Sequence, residues 1–388
     1  MARPTVVEAS GAGAQVWPRL SASSRAALRL LLTRGGLPRA EMARMLGLSR
    51  TSLTRVTREL LGVGLVREGV VELRATTGRP SEVLEPVVSA HHFLGVKLTG
   101  DALYSVVTDL SATVQGHSSA ALVAHDVVHV VAQIADHVKE VRGRFPRLTS
   151  VGISLAGVVT GPPGGEVVHR SPFLGWTGDV PLAQLVARAT GCPVVVENDV
   201  SALTALEAWS RVGAGVSSMA LVTIGTGLGF GFVVDGRVVR GAHGAAGRLD
   251  HVVVVPDGPV CEHGHQGCAS ALLNNGAVVR NAGSTSGDYA AVIEAARAGD
   301  GPERRAVEAA GVALGRLIGL IQNTVDPEKV VLTGDGLDTY RVAADVVHAE
   351  VERIAEGGPG TAVLDVQAFD FSEWARAAAG TAIFSLLT

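Results

Sequence analysis

Between Val222 and Cys268 the chain runs through a glycine ladder, Gly225-Thr226-Gly227-Leu228-Gly229-Phe230-Gly231, then His251, then Cys261-Glu262-His263-Gly264-His265-Gln266-Gly267-Cys268. Alternating glycines let backbone N–H groups approach a polar ligand such as phosphate, because no Cβ stands in the way. Cysteines and histidines at short spacing point instead to a borderline metal. Few folds need both so close together, so this stretch constrains the body of the chain more than any other.

Around it, stretches with the character of strands (Phe93–Lys97, Tyr104–Thr108, Val151–Ser154, Val194–Glu197, Ala220–Ile224, Phe230–Val234, Val330–Thr333) alternate with helical ones (Val128–Arg142, Leu182–Thr190, Arg304–Asn323). That alternation, with hairpins mixed in, predicts an α/β body of two lobes. A length of 388 residues suffices for two or three domains, and 47% hydrophobic against 18% charged residues fits a soluble globular protein. No apolar run reaches about 18 residues and the N-terminus lacks a signal pattern, so the expectation is a cytoplasmic protein with no membrane partner. Three cysteines, Cys192, Cys261 and Cys268, are too few for a disulfide framework.

Charge is distributed unevenly. Residues 1–80 hold 13 Arg and no Lys against 5 Glu, a balance of +8, whereas residues 81–388 hold 20 basic and 32 acidic groups, a balance of −12. A basic head on an acidic body implies a polyanionic partner for the head. Residues 1–20 read as a flexible leader. From Ser21 a helical face of Ala27, Leu28, Leu31 and Leu32 runs to Gly35-Gly36. A second short face (Ala40, Met42, Ala43, Leu46) ends at Gly47, and Ser49 is placed to cap a third helix from Arg50 to about Val63, with Leu53, Val56, Leu60 and Leu61 inward. Helix, glycine-containing turn, helix is a helix-turn-helix pattern. Residues 65–73 alternate like a hairpin turning near Glu68-Gly69, which would be the wing. The expected layout is a winged helix-turn-helix over 21–75, a linker over 76–90 containing Thr76-Thr77-Gly78-Arg79-Pro80, and an effector domain over 91–388. In such a head the second helix of the motif enters the major groove of double-stranded DNA, which makes Arg50, Thr51, Ser52, Thr54, Arg55 and Arg58 the candidate DNA contacts. Arg55 can read guanine bidentately or bind phosphate.

Cys261, His263 and Cys268, with His251 upstream, supply two thiolates and two imidazoles, the set that closes a structural Zn2+ site. His265 competes with His263 for the fourth position. Asp199, in Glu197-Asn198-Asp199, can accept hydrogen bonds from hydroxyls or take a proton.

The segments Leu46-Gly47-Leu48-Ser49 through Thr54-Arg55, Gly64-Leu65-Val66-Arg67-Glu68, Gly78-Arg79-Pro80, Glu197-Asn198-Asp199, Gly225–Gly231, 241–247 and the cysteine cluster together resemble the ROK family of repressors, open reading frames and kinases. The resemblance covers nearly the whole chain. It implies an N-terminal winged helix-turn-helix followed by a two-lobed, actin-like (ribonuclease H-like) sugar-kinase fold, with a sugar in the cleft and ATP alongside. It further implies sugar contacts at Asn198, catalytic-base ancestry for Asp199, a phosphate-loop remnant at Gly225, Thr226 and Gly227, a turn facing adenosine at Gly334-Asp335-Gly336, and a metal-shaped cleft with His251 near both sugar and metal. A homodimer or dimer of dimers is expected.

Departures from the family pattern set the functional expectation. Where family kinases begin the first phosphate loop with aspartate, this chain has Lys97-Leu98-Thr99-Gly100-Asp101. Arg248 and Ser270 stand where family members carry glutamates that hold the sugar. Arg248 either selects an anionic ligand or pairs with Asp250 or Asp199. The expected effector residues are therefore Asn198, Asp199, Arg248, His251 and Ser270. The expected protein is a transcriptional repressor controlled by a sugar or sugar derivative, without kinase activity; the alternative is an ATP-dependent sugar kinase carrying an accessory DNA-binding head.

Overall fold

Ser21 Oγ accepts a hydrogen bond from Ser24 N at 3.2 Å and so caps α1 (Ala22–Arg34). A two-residue strand β1 (Leu37–Pro38) leads into α2 (Arg39–Leu46), which Gly47 closes in the left-handed conformation. Ser49 caps α3 (Arg50–Gly62) by accepting from Ser52 N at 3.1 Å. Leu28, Leu31, Met42, Leu53, Val56 and Leu60 are buried, as the helical spacing requires, whereas Ala40 is exposed because α2 is short and only Met42 among its residues is fully buried. Glu59 of α3 accepts from Ser21 N and from Ser24 Oγ, at 2.9 and 2.8 Å, which binds α3 to the start of α1. The hydrogen bond from Ser21 N, helped by the two serine hydroxyls, holds the Glu59 carboxyl below its ordinary pKa.

The computed structural model describes residues 16–69, 83–210, 216–285, 287–355 and 362–388. Residues 1–15 of the expected leader, the far half of the expected wing hairpin and the motif Gly78-Arg79-Pro80 lie outside the described residues. One feature of the expected layout is corrected. Strand β2 (Val66–Glu68) pairs antiparallel with β3 (Val83–Pro86), in register Val66↔Pro86 and Glu68↔Leu84, and β3 also pairs with β1, so the small sheet runs β1-β3-β2. Residues 83–86, expected as linker, thus complete the sheet of the head. Buried Val83 and Leu84 explain why: their apolar side chains join the head core rather than facing water.

The chain divides into two units, Met1–Ser210 with Phe371–Thr388, and Arg211–Asp370. In the first, β4 (His92–Leu98), β5 (Ala102–Asp109) and β6 (Val114–Ala121) form an antiparallel meander. α4 (Val127–Arg144) then leads to β7 (Leu148–Leu155), which pairs parallel with β4. The hairpin β8 (Val158–Thr160) and β9 (Val167–Arg170), α5 (Leu182–Thr190), β10 (Val194–Asn198) and α6 (Asp199–Ser210) follow. The five-stranded sheet has order β10-β7-β4-β5-β6. Val130, Ile134 and Val138 of α4 and Leu182 and Val186 of α5 join Leu94, Val96, Val151 and Ile153 of the strands in one core.

The second unit repeats this plan. β11 (Met219–Ile224), β12 (Leu228–Val234) and β13 (Arg237–Val238) form the antiparallel part. The short helices α7 (Ser270–Leu273), α8 (Asn275–Asn281) and α9 (Tyr289–Ala298) precede the long α10 (Pro302–Val325). β14 (Lys329–Thr333) pairs parallel with β11 and, after α11 (Leu337–Ile354), with β15 (Val363–Val366), giving the order β13-β12-β11-β14-β15.

Finally α12 (Phe371–Leu387) returns to the first unit and lies on β4 and β7. Gly95 and Gly152 face each other in register across those strands, and a Cβ at either would stand 1.8 Å from the carbonyl oxygen of Ala375 or Ala378. Two glycines against an alanine-rich helix are what allow this close backbone approach. The same helix also touches α6 and α1. Trp17, just before α1, packs its ring 4.9 Å from His91 and 6.4 Å from Phe93, so the head is tied to the sheet of its own unit.

Candidate functional site

All six expected DNA contacts lie on the first turns of α3. Arg50, Thr51, Thr54, Arg55 and Arg58 are exposed, and Ser52 is half-buried, its N–H and Oγ both hydrogen-bonded to the cap Ser49. Thr54 Oγ1 donates to Arg50 O at 2.9 Å, leaving its oxygen free to accept. Helical periodicity sends Leu53, Val56 and Thr57 inward and turns the arginines outward.

Asn198 and Asp199 end β10 and open α6, at the strand's C-terminal edge. Asn198 is occupied within the fold: its Nδ2 donates to Gly157 O at 2.9 Å and its Oδ1 accepts from Ser201 N at 3.0 Å. Asp199 accepts from Val200 N at 2.9 Å through one oxygen, and its other oxygen takes the ammonium of Lys97. Both side chains are buried, and Trp374 of α12 places its ring 5.0 Å from Lys97 Nζ. The β4–β5 turn that follows Lys97 is a tight one, closed by Thr99 N to Ala102 O and by Thr99 Oγ1 to Asp101 Oδ1 at 2.9 and 2.7 Å. The cation at the start of this loop thus sits on the carboxylate expected to meet a sugar hydroxyl. Trp374 had no signal in the sequence motifs, because it reaches Lys97 from the far end of the chain.

The remaining expected effector residues, Arg248, His251 and Ser270, belong to the second unit. The pairing of Arg248 with Asp250 is not found, and Asp199 belongs to the other unit. Arg248 is exposed and makes no ion pair among the described residues of its own unit, where Asp250 lies 3.3 Å from His251 Nε2. Ser270 is half-buried at the start of α7, its N–H donating to Asp250 O at 2.8 Å.

His251, Cys261, His265 and Cys268 gather their ligand atoms within 4.8 Å of one another. His251 Nδ1 lies 3.8 Å from Cys261 Sγ and 3.6 Å from Cys268 Sγ, and His265 Nδ1 lies 3.6 Å from Cys261 Sγ. A tetrahedral zinc with ordinary Zn–S and Zn–N bonds needs ligand separations of roughly 3.3–3.8 Å; these three sulfur–nitrogen separations match it, and two thiols with two imidazoles are a donor set that suits that ion. The choice of His263 is corrected: its ring lies 5.0 Å from that of His251, but it is His265 that joins the four. The cause is the knuckle itself. Cys261 N donates to His265 O and Gly264 N to Cys261 O, a turn that folds residue 265 back beside Cys261 while 263 stays at the exposed tip. Although burial opposes ionisation, N–H groups from His263 and His265 lower the Cys261 pKa, and burial raises that of Cys268.

In the glycine ladder, Gly225, Thr226 and Gly227 form the β11–β12 turn. Thr226 N and Oγ1 both donate to Asp335, at 3.2 and 3.0 Å.

Among the described residues, a head of three helices and a small sheet precedes two five-stranded mixed sheets with their helices, one in each unit, and these two sheets are the build of actin-like proteins of the sugar-kinase class. The chain belongs to the ROK family, whose match spans residues 93–385. It is 25% identical over 323 residues to the DNA-binding transcriptional repressor Mlc of Escherichia coli, covering 79% of each chain. It is 30% identical over 207 residues to a glucokinase of Halalkalibacterium halodurans, covering 48% of this chain and 61% of that one. Among solved structures, a ROK family transcriptional regulator described as a homolog of the E. coli Mlc protein superposes with a TM-score of 0.79 at 24% identity, covering 94% of this chain and 97% of that chain.

Proposed function

We propose that this protein is a sugar-responsive, sequence-specific DNA-binding transcriptional repressor. The observation that carries the reading is the extent of the likeness: the repressor Mlc aligns over 79% of both chains, whereas the glucokinase aligns over 48% of this one. The exposed arginines of α3 supply the positive face that a major-groove helix needs, and a +8 balance in residues 1–80 supplies the phosphate attraction. Two heads on a homodimer, or four on a dimer of dimers, would read repeated half-sites and multiply the affinity of one head.

The protein does not transfer phosphate in this reading. Phosphoryl transfer relies on placed metal and positive charge around the phosphates and on a carboxylate free to receive the hydroxyl. Here Lys97 replaces the first carboxylate and engages the second, Asp199. His251, Cys261, His265 and Cys268 hold a structural Zn2+, which when bound supplies cross-links between segments of the second unit rather than chemistry. Asp250, on the opposite nitrogen of His251, orients that ligand.

A carbohydrate effector acts by binding one conformation more tightly than another. Within the first unit, β4 carries Lys97, α12 covers it with Trp374, and α12 and Trp17 meet the head, so a change at Asp199 has a packed route to α1. No helix among the described residues is long and apolar enough to cross a membrane; a cytoplasmic location follows from the proposed role.

The test combines two assays on the full chain. Duplexes selected from a random pool should bind with an affinity that falls steeply with salt, and calorimetry should find a binder among neutral sugars, sugar phosphates and uronic acids that shifts this affinity. ADP release in the presence of glucose that vanishes in Asp199→Asn would overturn the reading in favour of a sugar kinase with an accessory head.

A further inference from the structure

Strands β11 and β14 are parallel neighbours in register Thr223↔Thr333, so the turns that leave their C-terminal ends lie side by side. One is the glycine turn 225–227; the other is Gly334-Asp335-Gly336. They meet so closely that a Cβ on Gly225 would stand 1.6 Å from Asp335 Oδ1, and one on Gly336 would stand 2.9 Å from Gly225 Cα. Glycine at these positions is what allows the contact.

Into this space the Asp335 carboxylate delivers an anion. Its oxygens accept from Thr226 N at 3.2 Å, from Thr226 Oγ1 at 3.0 Å and from Asn275 Nδ2, at the start of α8, at 3.2 Å. A backbone N–H and a hydroxyl in a glycine turn, joined by a side-chain amide, are the kinds of donor that hold a phosphate group. All three are engaged by a carboxylate of the chain itself.

We propose that Asp335 is a built-in phosphate surrogate that closes the glycine turn 225–227 to nucleotide. The proposal rests on the reading of the protein as a regulator that does not transfer phosphate, and supplies the residue that enforces it in the second unit. An incoming triphosphate would find its donors taken and a like charge at hydrogen-bond range, which weakens binding by at least about tenfold. The turn keeps the backbone of an anion site while Asp335 reverses its preference. Asn275 and Thr226 are then anchors for Asp335 rather than ligand contacts.

The experiment is calorimetry of the full chain against Mg-ATP and against inorganic triphosphate, for the unmodified protein, Asp335→Asn and Asp335→Ala. The asparagine variant keeps the shape and removes the charge; the alanine variant frees the donors. The expected result is no saturable binding to the unmodified chain and a gain of at least about tenfold in both variants. Mg-ATP binding by the unmodified chain as tight as by the variants would overturn the proposal, and so would the absence of a gain in variants shown to be folded by circular dichroism. Should the alanine variant fail to fold, the isosteric asparagine variant decides alone. ADP release by the unmodified chain would sink the regulator reading, whereas an absent gain with intact DNA binding sinks only the role of Asp335.

Discussion

Lys97 Nζ and a carboxylate oxygen of Asp199 meet in a buried ion pair, with 4% and 6% of the two residues exposed. The pair joins β4 to the first residue of α6, and the amino end of that helix adds its own favourable field to the Asp199 charge. Each partner is tolerable in the interior only because the other is there.

Removing one partner should therefore cost more than removing both. Lys97→Met is expected to lower stability by about 3–5 kcal/mol, and Lys97→Met with Asp199→Leu to recover most of that loss. Urea denaturation of both single variants and the double variant measures it; a double-variant loss equal to the sum of the two single losses would mean that the two groups are not energetically linked.

The two histidines of the knuckle should behave differently. His265→Ala is expected to abolish a stoichiometric zinc content, while His263→Ala keeps about one zinc per chain. Elemental analysis of purified variants reads this directly, and retention of zinc in His265→Ala would return the ligand role to His263.

Asp250 should tune the same centre from outside. Loss of its carboxylate in Asp250→Ala is expected to weaken zinc roughly 10–100-fold, since it orients His251 through Nε2. Competition with a chromogenic chelator gives the ratio.

Acid should loosen the first unit through His91. Burial, with help from the nearby Arg147 charge, pushes its pKa down to about 4, and Nδ1 is hydrogen-bonded to Thr149 Oγ1 at 2.7 Å. A depressed histidine pKa means that the unfolded chain binds the proton first. The stabilisation is complete above about pH 6.5 and is lost as the pH falls towards 4, by about 3 kcal/mol in all. His91→Leu should flatten this acid limb, and the ring of Trp17 against His91 makes tryptophan fluorescence a suitable readout.

On DNA, Arg55→Ala should weaken binding to a selected duplex by about 1–3 kcal/mol if it reads a base, or reduce the salt slope by about one if it holds a phosphate. Fluorescence anisotropy over a salt series separates these, and an unchanged affinity would mean that α3 is not the recognition helix.

Much of the architecture was legible from local pattern. The caps Ser21 and Ser49, the turn at Gly47 and the inward series Leu53, Val56 and Leu60 follow from spacing within one or two helical turns. The apolar strands β4, β7, β11 and β14 stand where short runs rich in apolar residues placed them. Strand β6 carries little such signal, because Gln115, Gly116, His117 and two serines fill an edge strand that is mostly exposed. Strand β3 was hidden for another reason: its partners Val66–Glu68 and Leu37–Pro38 lie far away along the chain.

By itself the sequence determined the elements, the basic face of α3 and the kinds of ligand atom available around residues 251–268, since these depend on side-chain chemistry and on backbone preferences that act over a few residues. Only the tertiary structure decided which of those groups meet. It set Lys97 on Asp199, set Asp250 beside His251, chose His265 over His263, and laid Asp335 across Thr226. Each of these outcomes depends on strand register or on the path of a turn, and a shift of one residue would aim a different side chain at the same point.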